Sequence, residues 1–353
     1  MDESSFWKNQ PVGIGEDNDV IKMPTTIRTI PFNLPEGFVF ENIHEYKELS
    51  KFLYENYVED VNEQFRLIYS ENFLNFIINN PKHKQEYSLS LKFNNNLIGY
   101  VFGKETKIVI NNVENIVAAV NFLCVSKDFR NKKIAPVLIR EITRRFYCNG
   151  IYSGIFTSGT DLKFNICTTR YFHYPINNKK LLSSNFASTI DEITIKNPRQ
   201  GTRKITEGDI YTVYNLYLKY VESFNMYEKF DFEDFKYLLF NGEYKTYVYT
   251  EEDKIVAFGS FFILETLNIE KNIKIKGAYL GLVGGQKINE MLEDLIFYSN
   301  KQKCDVFNCI DIGNNLEFIK TLNFVEGTGD LKYYLYNWRA GALKKDEIYF
   351  YMQ

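Results

Sequence analysis

The sequence predicts an α/β fold built twice over, two α/β halves (α+β in the looser sense) sharing one mixed sheet. Three observations carry that prediction. At 353 residues the chain exceeds what a single hydrophobic core usually organises. Its first half reads as helices, hairpin, apolar strand, helix and further strands, and its second half repeats the order. At the middle of the first half the apolar run Ile116 to Val125 feeds a basic loop and then a helix with Pro136 in its first turn, where a missing N–H is harmless.

Composition narrows the class. Hydrophobic residues make up 45% of the chain and aromatic residues 16%, ample for a packed interior, and a net charge of −3 argues against a nucleic-acid protein. Cys124, Cys148, Cys167, Cys304 and Cys309 show no CxxC spacing, and His44, His83 and His173 lie far apart. Neither a disulfide framework nor a metal site is expected, and a reducing compartment fits. Met1-Asp2-Glu3 opens without a basic or apolar targeting region, and the longest apolar stretch, Ile255 to Leu264, is broken by Gly259-Ser260 and falls short of the ~20 residues that span a bilayer. A cytoplasmic monomer without a transmembrane segment is expected.

In chain order, residues 5 to 37 are rich in Pro, Gly and Asn and aperiodic; Phe6 and Trp7 make them an extended arm laid over the body rather than a solvated tail. Leu49, Phe52, Leu53 and Asn56 give Glu45 to Tyr57 helical spacing, and a second helix covers Ser70 to Ile78. Tyr87 to Phe93 and Leu97 to Lys104 alternate around Asn94-Asn95-Asn96, residues that tolerate positive φ, and predict a hairpin. The helix after the basic loop stops near Asn149-Gly150. Ile151 to Phe156 is a strand, ending in Thr157-Ser158-Gly159, and Tyr171-Phe172-His173 follow. In the second half, helical spacing covers Glu207 to Phe224 and Asp231 to Leu239. Thr246 to Thr250 and Lys254 to Leu264 flank the turn Glu251-Glu252-Asp253. Ala278 to Val283 is a strand leading to Gly284-Gly285, Ile288 to Ser299 a helix, Val306 to Ile310 a strand, Leu316 to Leu322 a helix and Leu331 to Tyr336 a final strand.

The junction in the first half makes an anion cradle. The first N–H groups of a helix lack intrahelical partners and carry the positive end of its dipole, and Arg130, Lys132 and Lys133 add whole charges there. A solvated surface loop accounts for the same charges, and without glycine the loop matches neither a Walker nor a dinucleotide fingerprint. The wider motif is more specific. Asn121-Phe122-Leu123-Cys124-Val125 is joined to Ile134-Ala135-Pro136-Val137-Leu138-Ile139-Arg140-Glu141-Ile142-Thr143-Arg144-Arg145. Around them stand Phe6-Trp7, Gln10-Pro11-Val12, Leu34-Pro35, Gly37-Phe38, Asn56-Tyr57-Val58-Glu59-Asp60, Asp305-Val306-Phe307-Asn308 and Tyr333-Tyr334-Leu335-Tyr336-Asn337-Trp338. In that order, from the sixth residue to near the end, the set resembles the eukaryotic glycylpeptide N-tetradecanoyltransferases, the N-myristoyltransferases.

The resemblance implies two tandem acyltransferase folds of the GNAT type in one pseudo-twofold unit. The half at 1–185 would hold acyl-CoA and the oxyanion hole, and the half at 186–353 most of the peptide groove and a catalytic terminal carboxylate. It implies transfer of myristate from myristoyl-CoA, bound first as co-substrate, to the N-terminal glycine of a peptide or protein, with no prosthetic group and no metal. For acyl-CoA it points to Ser5, Phe6 and Trp7 against the nucleotide, to Phe122, Leu123, Cys124 and Val125 along the thioester end, and to Arg130, Asn131, Lys133, Ile134 and Ala135 around the pyrophosphate. For the peptide it points to a lid of Tyr57, Val58, Glu59 and Asp60 and to Phe65, Tyr171, His173 and Leu331. For catalysis it points to the amides of Phe122 and Leu123, to Asn121 and Thr157 holding the amine or a relay water, and to the free carboxylate of Gln353 as base. The sequence departs from the family pattern at Val61-Asn62-Glu63, where an acidic run is usual, at Phe172 in place of Trp, and at Thr328, where Asp between the two glycines is usual.

The chemistry asks for donors at a developing oxyanion, a proton acceptor and two reactants held in line. The apolar run Ile348-Tyr349-Phe350-Tyr351-Met352 suits a buried tail, although last residues commonly fray. His173 taken alone is more often a structural histidine, and its setting in Tyr171-Phe172-His173 brings the functional reading towards even with that one. Two further readings fit the residues: a GNAT-fold acyltransferase for another acyl-CoA or amine, and a non-catalytic module that binds acyl-CoA or a glycine-led peptide.

Overall fold

Local signals lay out the elements. The first half runs β1 (Gly13–Ile14), β2 (Asp19–Val20), β3 (Phe38–Asn42), α1 (Tyr46–Asn56), β4 (Phe65–Ile68), α2 (Glu71–Ile78), β5 (Ser88–Phe93), β6 (Asn96–Ile110), β7 (Val113–Val125), α3 (Ile134–Cys148), β8 (Gly154–Ser158), β9 (Cys167–Pro175) and α4 (Asn178–Ser183). The second runs β10 (Thr202–Lys204), α5 (Ile210–Val221), β11 (Met226–Glu228), α6 (Phe232–Phe240), β12 (Lys245–Glu251), β13 (Lys254–Asn268), β14 (Ile273–Gly285), α7 (Ile288–Lys301), β15 (Val306–Ile310), α8 (Asn315–Thr321), β16 (Val325–Tyr336), β17 (Trp338–Ala340) and β18 (Ile348–Tyr349). The computed structural model describes residues 10–43, 45–57, 64–159, 161–162, 164–188 and 194–352. Among them no helix is long and apolar enough to cross a membrane.

Residue chemistry explains where these elements start and turn. Ser70 accepts the Phe73 amide and opens α2, and α1 buries Leu49, Phe52 and Leu53 on one stripe. Asn94 and Asn95 take φ of 46° and 64°, the paired left-handed geometry that matches strand twist in a two-residue turn. β6 runs on past Lys104 to Ile110 and turns again through Asn111 and Asn112, at φ 47° and 64°. The apolar run from Ile116 is therefore the return leg of a second, longer hairpin. Gly99 and Gly103 lie along β6 where a Cβ would meet Leu138 at 2.9 Å and Phe146 at 2.7 Å, so α3 seats close to the sheet because those two side chains are missing.

Among the described residues fifteen strands share one sheet whose main path is β10-β12-β13-β14-β15-β9-β16-β8-β7-β6-β11-β18. The last long strand of each half lies inside the other. β16 sits between β8 and β9, with Tyr333 opposite Thr157 and Leu331 opposite Thr169, and β9 sits between β16 and β15, with His173 opposite Asn308. The halves are thus interlocked through backbone ladders.

The first and last described segments are tied in. β1 and β2 flank β17 in a small second sheet, and the Phe32 amide donates to the buried Glu141 carboxylate at 3.3 Å, laying the arm over α3. At the other end β18 pairs parallel with β11. Ile348, Tyr349 and Phe350 are no more than 1% exposed. Ile348, Phe350 and Met352 pack with Tyr333 and Trp338, whereas Tyr349 and Tyr351 pack in the other core with Phe224 and Tyr217. This alternation is that of an extended segment threaded between two cores.

Candidate active site

The centre of the site is an irregularity in β7. Opposite β6 the register steps from Cys124–Tyr100 to Asn121–Phe102, so Phe122 and Leu123 together face Val101. This is a β-bulge, and Phe122 carries it at φ 53°. A left-handed aromatic residue costs about 1–3 kcal/mol. Burial of its ring contributes about 2–3 kcal/mol, enough to hold the strain: the side chain is 7% exposed, with Tyr69 edge-on at 5.1 Å and Tyr57 at 6.4 Å.

The other edge of β7 is open as well. β8 pairs with it in parallel only at Ala118–Gly154 and Ala119–Ile155. Beyond Ile155, β8 still pairs with β16 on its far side while its pairing with β7 has ended, and the place between these two edges is the candidate cleft. Continuing the lost register, Asn121 comes opposite Thr157 across the mouth of this cleft, both half-buried. Phe122 and Leu123 have a register partner on neither side. Backbone polar groups inside a sheet call for partners, and a bulge without register partners is a place where a ligand atom can supply one.

The basic loop lies at the same end of β7. Asn131 and Lys133 are left-handed at φ 62° and 61°, Lys133 being the residue that caps α3. Successive amides in such a turn point inward as an anion nest. Within the loop the Lys132 amide donates to Phe129 O. Among the described residues no backbone acceptor is bonded to the amides of Asn131, Lys133, Ile134 and Ala135. The structure places Pro136 as the third residue of α3, within the first turn as expected, where a missing N–H costs no helix bond. Arg130 donates to Asn56 O at 2.7 Å, and the Lys127 amide to Asn56 Oδ1 at 3.0 Å, joining the loop to the end of α1 where the predicted lid begins. Cys124 is buried and Val125 half-buried, closing the strand beneath the loop.

A second group of predicted residues gathers on β9 and its neighbours. His173 Nδ1 lies 2.7 Å from Asn308 Oδ1, which as an acceptor assigns the ring proton to Nδ1. Burial holds the His173 pKa below its usual value, against the pull of Asn308, so the ring is neutral at pH 7. A Cβ on Gly327 would stand 2.4 Å from His173 Nε2, so the chain passes that ring only as glycine. Phe65 reaches His173 through Phe186, whose ring lies 5.7 Å from Phe65 and 5.1 Å from His173; sequence reasoning did not single out Phe186, and it quoted Asn308 in the motif Asp305-Val306-Phe307-Asn308 without giving it this role. Tyr171 and Leu331 are half-buried on the same paired strands. The bulge from Glu326 to Asp330 is closed by Arg170, which pairs with Glu326 and, at 2.8 Å, with Asp330. The acid displaced beyond Gly329 thus has a structural partner.

The tail reaches the first group. Tyr333, opposite Thr157, donates through its hydroxyl to Phe350 O at 2.8 Å. Burial pushes the Cys167 and Cys304 thiols up to about 11 and Cys309 higher still, so none of these three is a thiolate nucleophile at neutral pH. Ser5, Phe6, Trp7, Val58, Glu59, Asp60 and Gln353 lie outside the described residues, as do Val61, Asn62 and Glu63.

Comparison with known proteins gives one consistent result. Residues 18–169 match the sequence model of the myristoyl-CoA:protein N-myristoyltransferase N-terminal domain, and residues 174–349 that of its C-terminal domain. The chain is 30% identical to the glycylpeptide N-tetradecanoyltransferase of Candida albicans, over 96% of this chain and 86% of that protein. It is equally identical to the Drosophila melanogaster protein of that name, over 98% and 80%. The crystal structure of Saccharomyces cerevisiae N-myristoyltransferase with bound myristoyl-CoA superposes with a TM-score of 0.89 at 27% identity, covering 98% of this chain and 94% of that one. A GCN5-related N-acetyltransferase from Anabaena variabilis superposes at 0.51 with 9% identity over 84% of this chain and 72% of that one, a likeness of fold alone.

Proposed function

Since the chain belongs to the myristoyl-CoA:protein N-myristoyltransferase family, we propose that it transfers the tetradecanoyl group of myristoyl-CoA to the N-terminal glycine amine of protein substrates. The observation that carries this reading is the bulge at Phe122–Leu123, where neither residue has a register partner on β6 or on β8.

Myristoyl-CoA is the co-substrate. The amides of Asn131, Lys133, Ile134 and Ala135 with the Arg130 charge take its pyrophosphate, Ser5, Phe6 and Trp7 take the nucleotide, and Phe122, Leu123, Cys124 and Val125 line the thioester end. The glycine nitrogen attacks the thioester carbon, the C–N bond forms, and negative charge gathers on the carbonyl oxygen, where the Phe122 and Leu123 amides meet it. The C–S bond then breaks, and the CoA thiolate leaves and is protonated. Asn121 and Thr157, opposed across the cleft mouth, hold the amine. The Gln353 carboxylate accepts the amine proton; with an ordinary pKa of ~3.5 it is a weak base, and desolvation with near contact to the ammonium is what strengthens it. Tyr57, Val58, Glu59 and Asp60 form the lid, and Phe65, Tyr171, His173 and Leu331 receive the next peptide residues.

The division of labour follows the chain, with acyl-CoA held by 1–185 and the peptide groove and base supplied by 186–353; the interlocked strands make the pair one working unit, acting as a monomer in the cytoplasm. The test is direct. The purified chain, given myristoyl-CoA and a Gly-led octapeptide, adds one tetradecanoyl group by mass spectrometry and leaves the Ala-led octapeptide unchanged. An unmodified Gly-led peptide overturns the reading, and a faster rate with a shorter acyl-CoA reassigns the donor.

A further inference from the structure

The second half carries the same strand break as the first, and the structure fills it from within. β13 and β14 step in register from Gly259–Val283 to Phe261–Leu280, so Gly281 and Leu282 face Ser260 in a bulge. β15 pairs with β14 only from Gly277 to Tyr279. Past that point the free edge of β14 is met by one side chain. The Val283 amide donates to Tyr349 Oη at 2.7 Å, and the Tyr349 hydroxyl donates to Val283 O at 2.9 Å. In an antiparallel pair the N–H and C=O of one residue point to the same side. One hydroxyl bonding both therefore stands where a neighbouring strand would be.

The ring behind that hydroxyl is held firmly. Phe224 stacks on it at 5.1 Å and 15°, and Tyr220 and Tyr351 meet it edge-on at 5.2 and 5.4 Å. Tyr349 lies on the tail, four residues before Gln353, and is 1% exposed. The tail is tied as well by the β18–β11 ladder, by Tyr333 to Phe350 O and by Asn315 to Tyr351 Oη at 3.0 Å. Of these side-chain anchors among the described residues, Tyr349 is the one that bonds both a backbone donor and a backbone acceptor of β14, beside the ladder to β11. An extended chain has little slack along its axis, at about 3.3 Å per residue, so a clamp at Tyr349 sets how far the last carboxylate reaches.

We infer that Tyr349 is a positioning residue for acyl transfer, its hydroxyl docked in the second half's strand break so that the terminal carboxylate is delivered to the first half's cleft. The inference rests on Gln353 supplying the base. It is tested by single-turnover transfer rates and myristoyl-CoA affinity in Tyr349→Phe, in the chain lacking Gln353, in the two changes combined, and in Phe224→Leu, which loosens the ring and keeps the hydroxyl. Tyr349→Phe slows transfer about 10-fold to 100-fold, the scale of a small misplacement of a reacting group, and leaves myristoyl-CoA affinity within about twofold. In the chain already lacking Gln353 it slows transfer no further. Phe224→Leu lowers the melting temperature but keeps the rate within about twofold of the parent. The inference is overturned if Tyr349→Phe turns over at the parent rate, if it slows the Gln353-deleted chain by the same factor, or if Phe224→Leu alone is as slow. A parent rate after deletion of Gln353 overturns instead the assignment of the base, and the clamp with it.

Discussion

Each half of this molecule carries one such strand break, and the two have opposite fates. β6 and β7 match β13 and β14 in length, 15 and 13 residues each. Each pair carries a bulge near the end of its second strand, and each second strand has a parallel neighbour that pairs briefly and departs. In the first half the bulge starts with a left-handed Phe122, and the loop beyond it is basic. In the second it starts with Gly281, Ser260 donates to Leu282 O at 3.0 Å, and Tyr349 saturates Val283. Backbone exposed by a bulge in a buried sheet is unstable unless something answers it. On the proposed function a substrate answers it in the first half, whereas in the second the chain's own tail does so, which leaves one of two related frameworks for reaction.

The strongest way to break the comparison is to straighten the first bulge. Phe122→Val puts a β-branched residue where φ is 53° and removes the ring that holds it there. Transfer should slow by about 10²–10³, the value of an oxyanion donor. Ser260→Ala, at the matching place in the second half, should leave the rate within about twofold while removing a hydrogen bond worth about 1 kcal/mol. Equal rate losses in the two variants, measured at saturating myristoyl-CoA, would show that the bulges do not differ in role.

Next in size are the buried acids of the two long helices. Glu141 on α3 is fully buried, binding Arg144 at 2.7 Å, Arg145 at 3.1 Å and the arm through Phe32. Asp294 on α7 is equally buried, binding Arg199 at 3.0 Å and Thr202 at 2.5 Å. Burial alone would raise the Glu141 carboxyl, but the two guanidinium groups and the Phe32 amide outweigh it and hold the pKa below the usual range. Its stabilisation is therefore full above the unfolded value of about 4.3 and is lost as pH falls through the lowered folded value. Glu141→Gln should cost about 3 kcal/mol at neutral pH, with the difference from the parent shrinking below about pH 4 in acid titrations of unfolding. It should also weaken myristoyl-CoA binding through the loosened arm, whereas Asp294→Asn should destabilise without that loss.

A smaller effect separates the two loops ahead of those helices. Lys133→Ala and Arg130→Ala should each raise the dissociation constant for myristoyl-CoA about tenfold, the scale of one charged hydrogen bond, and the loss should shrink as salt rises. Lys287, which caps α7 and pairs with Glu251 at 3.6 Å, should be replaceable by Ala without change in calorimetric affinity.

How much of this the sequence disclosed depends on range. α1, α2, α7 and β15 were legible almost to the residue, because helical stripes, the Ser70 cap and short apolar runs act within one or two turns of chain. The bulge was located through the motif Asn121-Phe122-Leu123 and its family resemblance, since alternation in an apolar run says nothing of a left-handed residue. β9 was not seen as a strand, and the exchange of β9 and β16 between the halves was invisible. Thr169 and Leu331 meet across 162 positions of sequence, and nothing local to either residue encodes the other. His173 was named, but Asn308 and Phe186, which orient and enclose it, are brought there by tertiary pairing alone.

The finest contrast between the halves lies in their hairpin turns. β5 and β6 are joined through Asn94 and Asn95, β12 and β13 through Glu252 and Asp253, the latter at φ 47° and 61°. Both are two-residue left-handed turns of the same kind, but Asn enters that region easily and Glu does not, because its longer side chain gains no local hydrogen bond there. The second turn should thus be the less settled one. Changing Glu252 to Asn and Asp253 to Gly should stabilise the protein by about 1 kcal/mol, and changing Asn95 to Gly by only about 0.3 kcal/mol. Chemical denaturation at constant slope reads this difference. If the two turns respond alike, left-handed strain is not what distinguishes them. The transfer rate should stay the same in both variants, because each turn lies at the far end of its hairpin from the bulge.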